Sequence, residues 1–161
     1  MRIGVVSDTH GHLHNTLAAV RMLEELEVEA VLHCGDIGSA EVVTAFSAWP
    51  THFVFGNCDY DQDDLRRAIE MARQSCHERF GDLTLGGRRI ALIHSDDVQR
   101  FRETINSRDY DLVCYGHTHK AESHNQGKTL VLNPGALYRA NPHTLAIVEL
   151  KTLEPTIIRL G

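Results

Sequence analysis

Residues 3–6 form a short apolar run, with β-branched Ile3, Val5 and Val6, that stops at Ser7-Asp8-Thr9-His10. The same plan recurs along the chain. Residues 31–34 run into Gly35-Asp36, residues 53–55 into Gly56-Asn57, residues 90–93 into His94, and residues 112–115 into Gly116-His117-Thr118-His119. Continuous apolar runs of this length predict strands buried on both faces. Between the first three runs the period changes from two to about four. Leu17, Val20, Leu23 and Leu26 make one stripe, with Arg21, Glu24, Glu25 and Glu27 opposite, so a helix is expected there, capped by Asn15 or Thr16. Ser39 is placed to cap a second helix through Val42, Val43 and Phe46, and Pro50 excludes its continuation. A third strand is expected at 52–55. Strand–helix–strand–helix–strand order implies parallel strands joined by right-handed crossovers.

An acidic loop at 59–64 leads to a short helix at 65–72, capped by Asp63 or Asp64. From His77 the pattern becomes mostly that of strands. Residues 83–85 and 89–92 flank Gly86-Gly87, a two-residue hairpin signal. A helix is expected at 97–106, with Val98, Phe101 and Ile105 on one face. Strands follow at 112, 121–124 and 129–132, then closing antiparallel strands at 144–150 and 156–160. The overall expectation is an α/β domain spanning 1–161, with two sheets packed face to face and helices outside.

Composition narrows the function. The chain has 161 residues, 42% of them hydrophobic and 24% charged, with a net charge of −6. That length supports a proper core, and that charge argues against a broad grip on nucleic acid or an anionic membrane. The four cysteines, Cys34, Cys58, Cys76 and Cys114, form no C-x-x-C pair and read as free thiols. No apolar run approaches the ~20 residues of a membrane helix. A cytoplasmic protein is expected, with its state of self-association open.

The residues at the strand ends carry the chemistry. Asp8 and Asp36 are carboxylates, Asn57 offers an amide oxygen, and His10, His94, His117 and His119 are imidazoles. Open α/β sheets place ligand sites at the carboxyl ends of strands. The set is too large for one tetrahedral ion and too rich in oxygen for a structural zinc. It suits two divalent cations sharing a carboxylate, with mixed N/O donors pointing to Mn, Fe, Zn, Ni or Co. Gly35, Gly56 and Gly116 each precede one of these residues, where the backbone must turn and come close. His12, His14, His33, His52, His77, His124 and His143 lack this setting and are left as ordinary polar residues, His12 being the first to reconsider.

Together, Asp8-x-His10, Gly35-Asp36, Gly56-Asn57, His94 and Gly116-His117-Thr118-His119 resemble the motifs of the calcineurin-like metallophosphoesterases, above all their small bacterial and archaeal phosphodiesterase branch, to which a retromer scaffold subunit is similar. The resemblance implies a four-layer α-β-β-α sandwich and a dinuclear centre, manganese being favoured. Asp8, His10 and His119 would hold one ion, Asn57, His94 and His117 the other, and Asp36 would bridge. Asn133-Pro134-Gly135 resembles a loop near that centre. The implied reaction is hydrolysis of a small phosphodiester by a hydroxide held between the ions, with Asn57 and His117 also stabilising charge on the phosphoryl oxygens. A phosphomonoesterase on the same site and a metal-binding scaffold are the alternatives. Two positions depart from the wider family. Cys58 stands where a leaving-group His is usual, which favours esters with good leaving groups, and Ser95 follows His94 where Gly is common.

Overall fold

The computed structural model describes residues 1–161 as fifteen elements. In the first half these are β1 (Arg2–Val6), α1 (Leu13–Glu25), β2 (Ala30–His33), α2 (Ala40–Ala45), β3 (Thr51–Phe53), α3 (Gln62–Met71) and β4 (Ser75–Cys76). The second half adds β5 (Phe80–Leu85), β6 (Arg88–Ile93), α4 (Val98–Asn106), β7 (Leu112–Cys114), β8 (Ala121–Gln126), β9 (Thr129–Pro134), β10 (Thr144–Glu149) and β11 (Glu154–Arg159). They build a six-stranded sheet of order β11-β10-β1-β2-β3-β4 and a five-stranded sheet of order β5-β6-β7-β9-β8. Both are mixed. β1 runs parallel to β2 and antiparallel to β10, while β6, β7 and β9 are mutually parallel between two antiparallel edges.

Side-chain alternation sorts the apolar residues into three packed layers. Ile3 and Val5 of β1, with Leu32, Ile90, Leu92, Leu112 and Leu132, fill the space between the sheets. Val6 lies on the opposite face of β1, among Ala19, Leu23, Val42, Phe46, Leu65 and Ile69 beneath α1, α2 and α3. A smaller group, Ala91, Ile93, Val113, Tyr115 and Val131, packs against Phe101 and Ile105 of α4. The result is the expected α-β-β-α sandwich, each central strand apolar on both faces because each face is covered.

Local details correct several expectations. The cap of α1 is His12, whose Nδ1 accepts the Asn15 N–H at 3.4 Å, rather than Asn15 or Thr16. Its inward face is Thr16, Ala19 and Leu23, and Leu17 is left exposed. Asp61, not Asp63 or Asp64, caps α3 through the Asp64 N–H. Strand β4, only two residues long, had no sequence signal. Ser39 caps α2 as expected, Asp97 caps α4 through the Arg100 N–H, and the β5–β6 hairpin turns through Gly86 and Gly87, both at positive φ.

Candidate metal centre

The loops after β1, β2, β3, β6 and β7 meet at one end of the sandwich. Beyond the strands the backbone keeps pairing. The Asp8 N–H donates to the Gly35 carbonyl at 3.0 Å and the His10 N–H to the Asp36 carbonyl at 2.9 Å. Asp8 is fixed from its other side by the Tyr138 N–H, which donates to its carbonyl at 3.1 Å. The turns are tight enough that Asp8, His10, Asp36, His117 and His119 all take positive φ, between 45° and 72°. A non-glycine residue in that region costs on the order of 1–3 kcal/mol, and such strain concentrates at functional sites.

The seven predicted side chains form one connected line. His119 Nε2 is 3.0 Å from Asp8 Oδ1 and 3.4 Å from His10 Nε2. His10 Nε2 is 3.7 Å from both Asp8 Oδ1 and Asp36 Oδ2. Asp36 Oδ2 lies 3.3 Å from His94 Nε2, which is 3.0 Å from Asn57 Oδ1, and His117 Nδ1 is 3.1 Å from the same oxygen. Asp36 thus stands between the two trios. Two close approaches require glycine. A Cβ on Gly56 would lie 2.1 Å from Asp36 Oδ1, and one on Gly116 would lie 2.0 Å from Ser7 Oγ and 2.8 Å from Asp8 Oδ2.

The donor chemistry fits divalent cations. His94 Nδ1–H donates to the Cys34 carbonyl at 2.8 Å and His119 Nδ1–H to the Arg139 carbonyl at 3.1 Å. In each neutral ring the Nε2 lone pair then faces inward, toward a carboxylate oxygen. Lone pairs facing carboxylates repel unless a proton or a cation lies between them. Asp8 is fully buried. Its Oδ2 accepts from Ser7 Oγ–H and from the His117 N–H, yet Oδ1 has no hydrogen-bond partner. A buried, unpartnered carboxylate oxygen is costly, and a bound cation would satisfy it.

The carboxylates are poised as anions. Burial pushes Asp8 upward, but neighbouring His10, His94, His119 and Ser7 outweigh it and hold the group below the usual range. Burial also opposes Asp36, which the His94 imidazole, the Cys58 N–H and His10 bring well below that range. Burial lowers His94, and Asp36 more than reverses this, so its affinity for a proton is raised. Three overlapping donor groups have their ligand atoms within 4.8 Å of one another: Asp8, His10 and His119; Asp8, Asp36 and His94; and His10, Asp36 and Cys58. The last adds Cys58 to the neighbourhood of the centre. Burial and the Asp36 charge raise its thiol, so Sγ keeps its proton at neutral pH.

Supporting residues hold these loops, and of them His33 and Asp59 were not singled out in the sequence. His33 is fully buried, stacked on Phe53 with ring centroids 5.5 Å apart. Its Nδ1 accepts the Gly35 N–H at 3.2 Å, so its Nε2–H donates to Thr9 Oγ1 at 3.0 Å, and the Thr9 hydroxyl donates to the Ile37 carbonyl at 2.8 Å. Thr9 lies between Asp8 and His10, so this relay ties the β1 loop to the β2 loop. Burial keeps His33 neutral, with its pKa lowered to about 3. Asp59, almost fully buried, accepts from the Gly56 N–H at 2.8 Å and the Gly38 N–H at 3.0 Å. Asn133 donates to the Gly116 carbonyl and Thr118 Oγ1 at 3.1 and 3.0 Å, which fixes the 116–119 loop. Ser95, at φ 85°, occupies a conformation that glycine adopts more easily, and its hydroxyl donates to the same Gly116 carbonyl. His12 stays outside the centre, stacked on Tyr138 with centroids 4.5 Å apart.

The comparisons with known proteins follow the same lines. Residues 1–153 match the calcineurin-like phosphoesterase superfamily domain. The chain belongs to that superfamily. It is therefore a phosphoric ester hydrolase with a candidate metal-binding site. It is 29% identical over 159 residues to phosphodiesterase MJ0936 of Methanocaldococcus jannaschii, covering 96% of each chain. Among solved structures, a novel archaeal phosphodiesterase superposes with a TM-score of 0.92 at 29% identity, over 99% of this chain and 100% of the other. A Vps29 single mutant from Entamoeba histolytica shares the fold, with a TM-score of 0.68 at 17% identity over 100% of both chains. No helix of the structure is long and apolar enough to cross a membrane.

Proposed function

We propose that Asp8, His10, Asp36, Asn57, His94, His117 and His119 hold two divalent ions, with Asp36 shared, and that the protein hydrolyses small phosphodiesters in the cytoplasm as a single metallophosphoesterase domain. One observation carries this. Carboxylate oxygens and imidazole nitrogens are turned toward one another across the centre, and Asp8 Oδ1 is left without a hydrogen-bond partner. The name of the archaeal relative, a phosphodiesterase, supports the diester preference. Manganese suits the mixed oxygen and nitrogen donors, and Fe, Ni, Zn or Co would be accommodated by the same set.

Bound there, two such ions supply positive charge against the phosphoryl oxygens and acidify water to a pKa near ~7. The chain's own groups do the rest. The carbonyls of Cys34 and Arg139 aim the His94 and His119 rings. Asn57 and His117, at the more open end, are placed to donate hydrogen bonds to the phosphoryl group as charge grows on it. Cys58 holds a proton at Sγ beside Asp36, but a thiol is a weak donor and this one is weaker than usual. The leaving group must largely carry its own charge, so activated aryl diesters are the expected good substrates.

The test is metal content together with turnover of bis(4-nitrophenyl) phosphate and 4-nitrophenyl phosphate. Two ions per chain and faster diester cleavage support the proposal. A faster monoester would make the protein a phosphomonoesterase, and a metal-loaded protein inactive on both would favour a scaffold.

A further inference from the structure

A cleft of about 410 Å³ has His119 in its wall and lies at the seam where edge strand β8 of one sheet meets edge strand β11 of the other. Its walls include His119, Lys120, Asn141, Thr144, Ile157 and Arg159. That volume is in the range of small-molecule sites, and His119 is a wall shared with the candidate metal centre. Lys120 and Arg159 have no carboxylate within ion-pair distance, and none lines the cleft. In a chain of net charge −6, this cleft carries two cations and no acidic side chain. On the Cys58 side the depression is of opposite character. It measures about 240 Å³ and is lined by Asp59, Asp61 and Asp64 with no cation.

From this asymmetry we infer that the Lys120–Arg159 cleft is a substrate subsite for an anionic substituent, a second phosphate or a carboxylate, on the part of the ester that is not released. The ester would lie across the centre with its charged end toward Lys120 and Arg159 and its uncharged leaving group toward Cys58. Arg binds such groups through paired N–H donors and Lys as a point charge. Asn141 and Thr144 add neutral hydrogen-bonding groups to the same wall. The inference rests on the phosphodiesterase proposal above and names the substrate class for that site.

The experiment compares two diesters that release the same 4-nitrophenol: thymidine 5′-(4-nitrophenyl phosphate) and the same compound carrying a 3′-phosphate. The metal-loaded protein should favour the phosphorylated diester by about tenfold in kcat/KM, through KM, at low salt, and the preference should shrink in 0.5 M NaCl. The double variant K120Q/R159Q should lose the preference and keep turnover of the unphosphorylated diester within about twofold of the parent. Equal kcat/KM for the two diesters in the parent protein, or a preference that survives the double substitution, overturns the subsite. Calorimetric binding of thymidine 3′,5′-bisphosphate against thymidine 5′-monophosphate is run in parallel. A protein that turned over neither diester would fail the phosphodiesterase proposal, while tighter bisphosphate binding lost in the double variant would still support the subsite and equal binding would refute it.

Discussion

The two halves of the centre are built differently. On the Asp8 side a carboxylate with no exposure has one oxygen without a hydrogen-bond partner, facing the imidazoles of His10 and His119. On the Asn57 side a neutral amide oxygen lies 3.0 and 3.1 Å from the ring nitrogens of His94 and His117, in a more exposed setting. One half holds a buried anion with an oxygen left unpartnered, and the other holds a neutral, exposed amide. The contrast teaches that affinity need not be shared equally within a paired centre. The Asp8 half should take the first ion and hold it tightly, and the Asn57 half should take the second weakly.

The largest expected effect comes from the residue common to both halves. Asp36→Asn should reduce hydrolysis of an activated aryl diester on the order of a thousandfold and lower the bound metal, measured by elemental analysis, toward zero. Asp8→Asn separates the halves. In chelator the variant should be less stable than the parent in thermal unfolding at pH 7, because burial of Asp8 is outweighed by His10, His94, Ser7 and His119, which hold it below the usual carboxylate range, and its anion therefore stabilises the fold. Manganese at a hundred times its dissociation constant should stabilise the parent by about 2.7 kcal/mol and the variant by much less. If Asn57→Ala abolished that stabilisation while Asp8→Asn left it intact, the contrast would be reversed.

A smaller effect probes the scaffold under the tighter half. His33→Leu keeps an apolar core but cuts the relay from Gly35 through Thr9 to Ile37. Metal affinity should fall by about 10- to 100-fold while far-ultraviolet circular dichroism is unchanged. An unaltered affinity would make His33 a core residue only.

The smallest effect lies away from both halves and is a control on pH. Burial, then the neighbouring His77, lowers His52 to about 4 from 6.5. The folded state therefore stays neutral at His52 where the unfolded chain is already protonated. Stability is full above pH 6.5, falls as pH drops from 6.5 to 4, and levels off below. For a half-exposed pair with its facing ring nitrogens 2.9 Å apart the loss should be about 1–2 kcal/mol after solvent screening. His52→Gln should flatten that part of the stability–pH curve without changing metal binding at pH 7.5. Retention of the full slope would remove His52 as its source.

The predicted ligand residues were legible because each follows an apolar strand, so periodicity locates the element and chemistry marks its end. The three parallel strands of the first half were legible for the same reason. The supports were not. His33 acts through backbone groups inside the core, and in sequence it is one more residue of a buried strand. Asp59 reads as the start of an acidic surface loop, yet its carboxylate turns inward onto two glycine N–H groups. β8, with the polar sequence AESHNQ, is exposed at every position as an edge strand and carries no alternation to read fully. The face of α1 was misjudged because Thr16 and Ala19, small enough for close packing, displace Leu17 from the interface. What sequence conceals here is chiefly the part of the site that works through the main chain.

The most direct test is a calorimetric titration of the chelator-stripped protein with manganese. Two ions should bind per chain in two resolved steps, the tighter lost in Asp8→Asn and the weaker lost in Asn57→Ala. A single ion per chain, or a tight step that survives Asp8→Asn, would contradict a paired centre built around the unpartnered oxygen of Asp8.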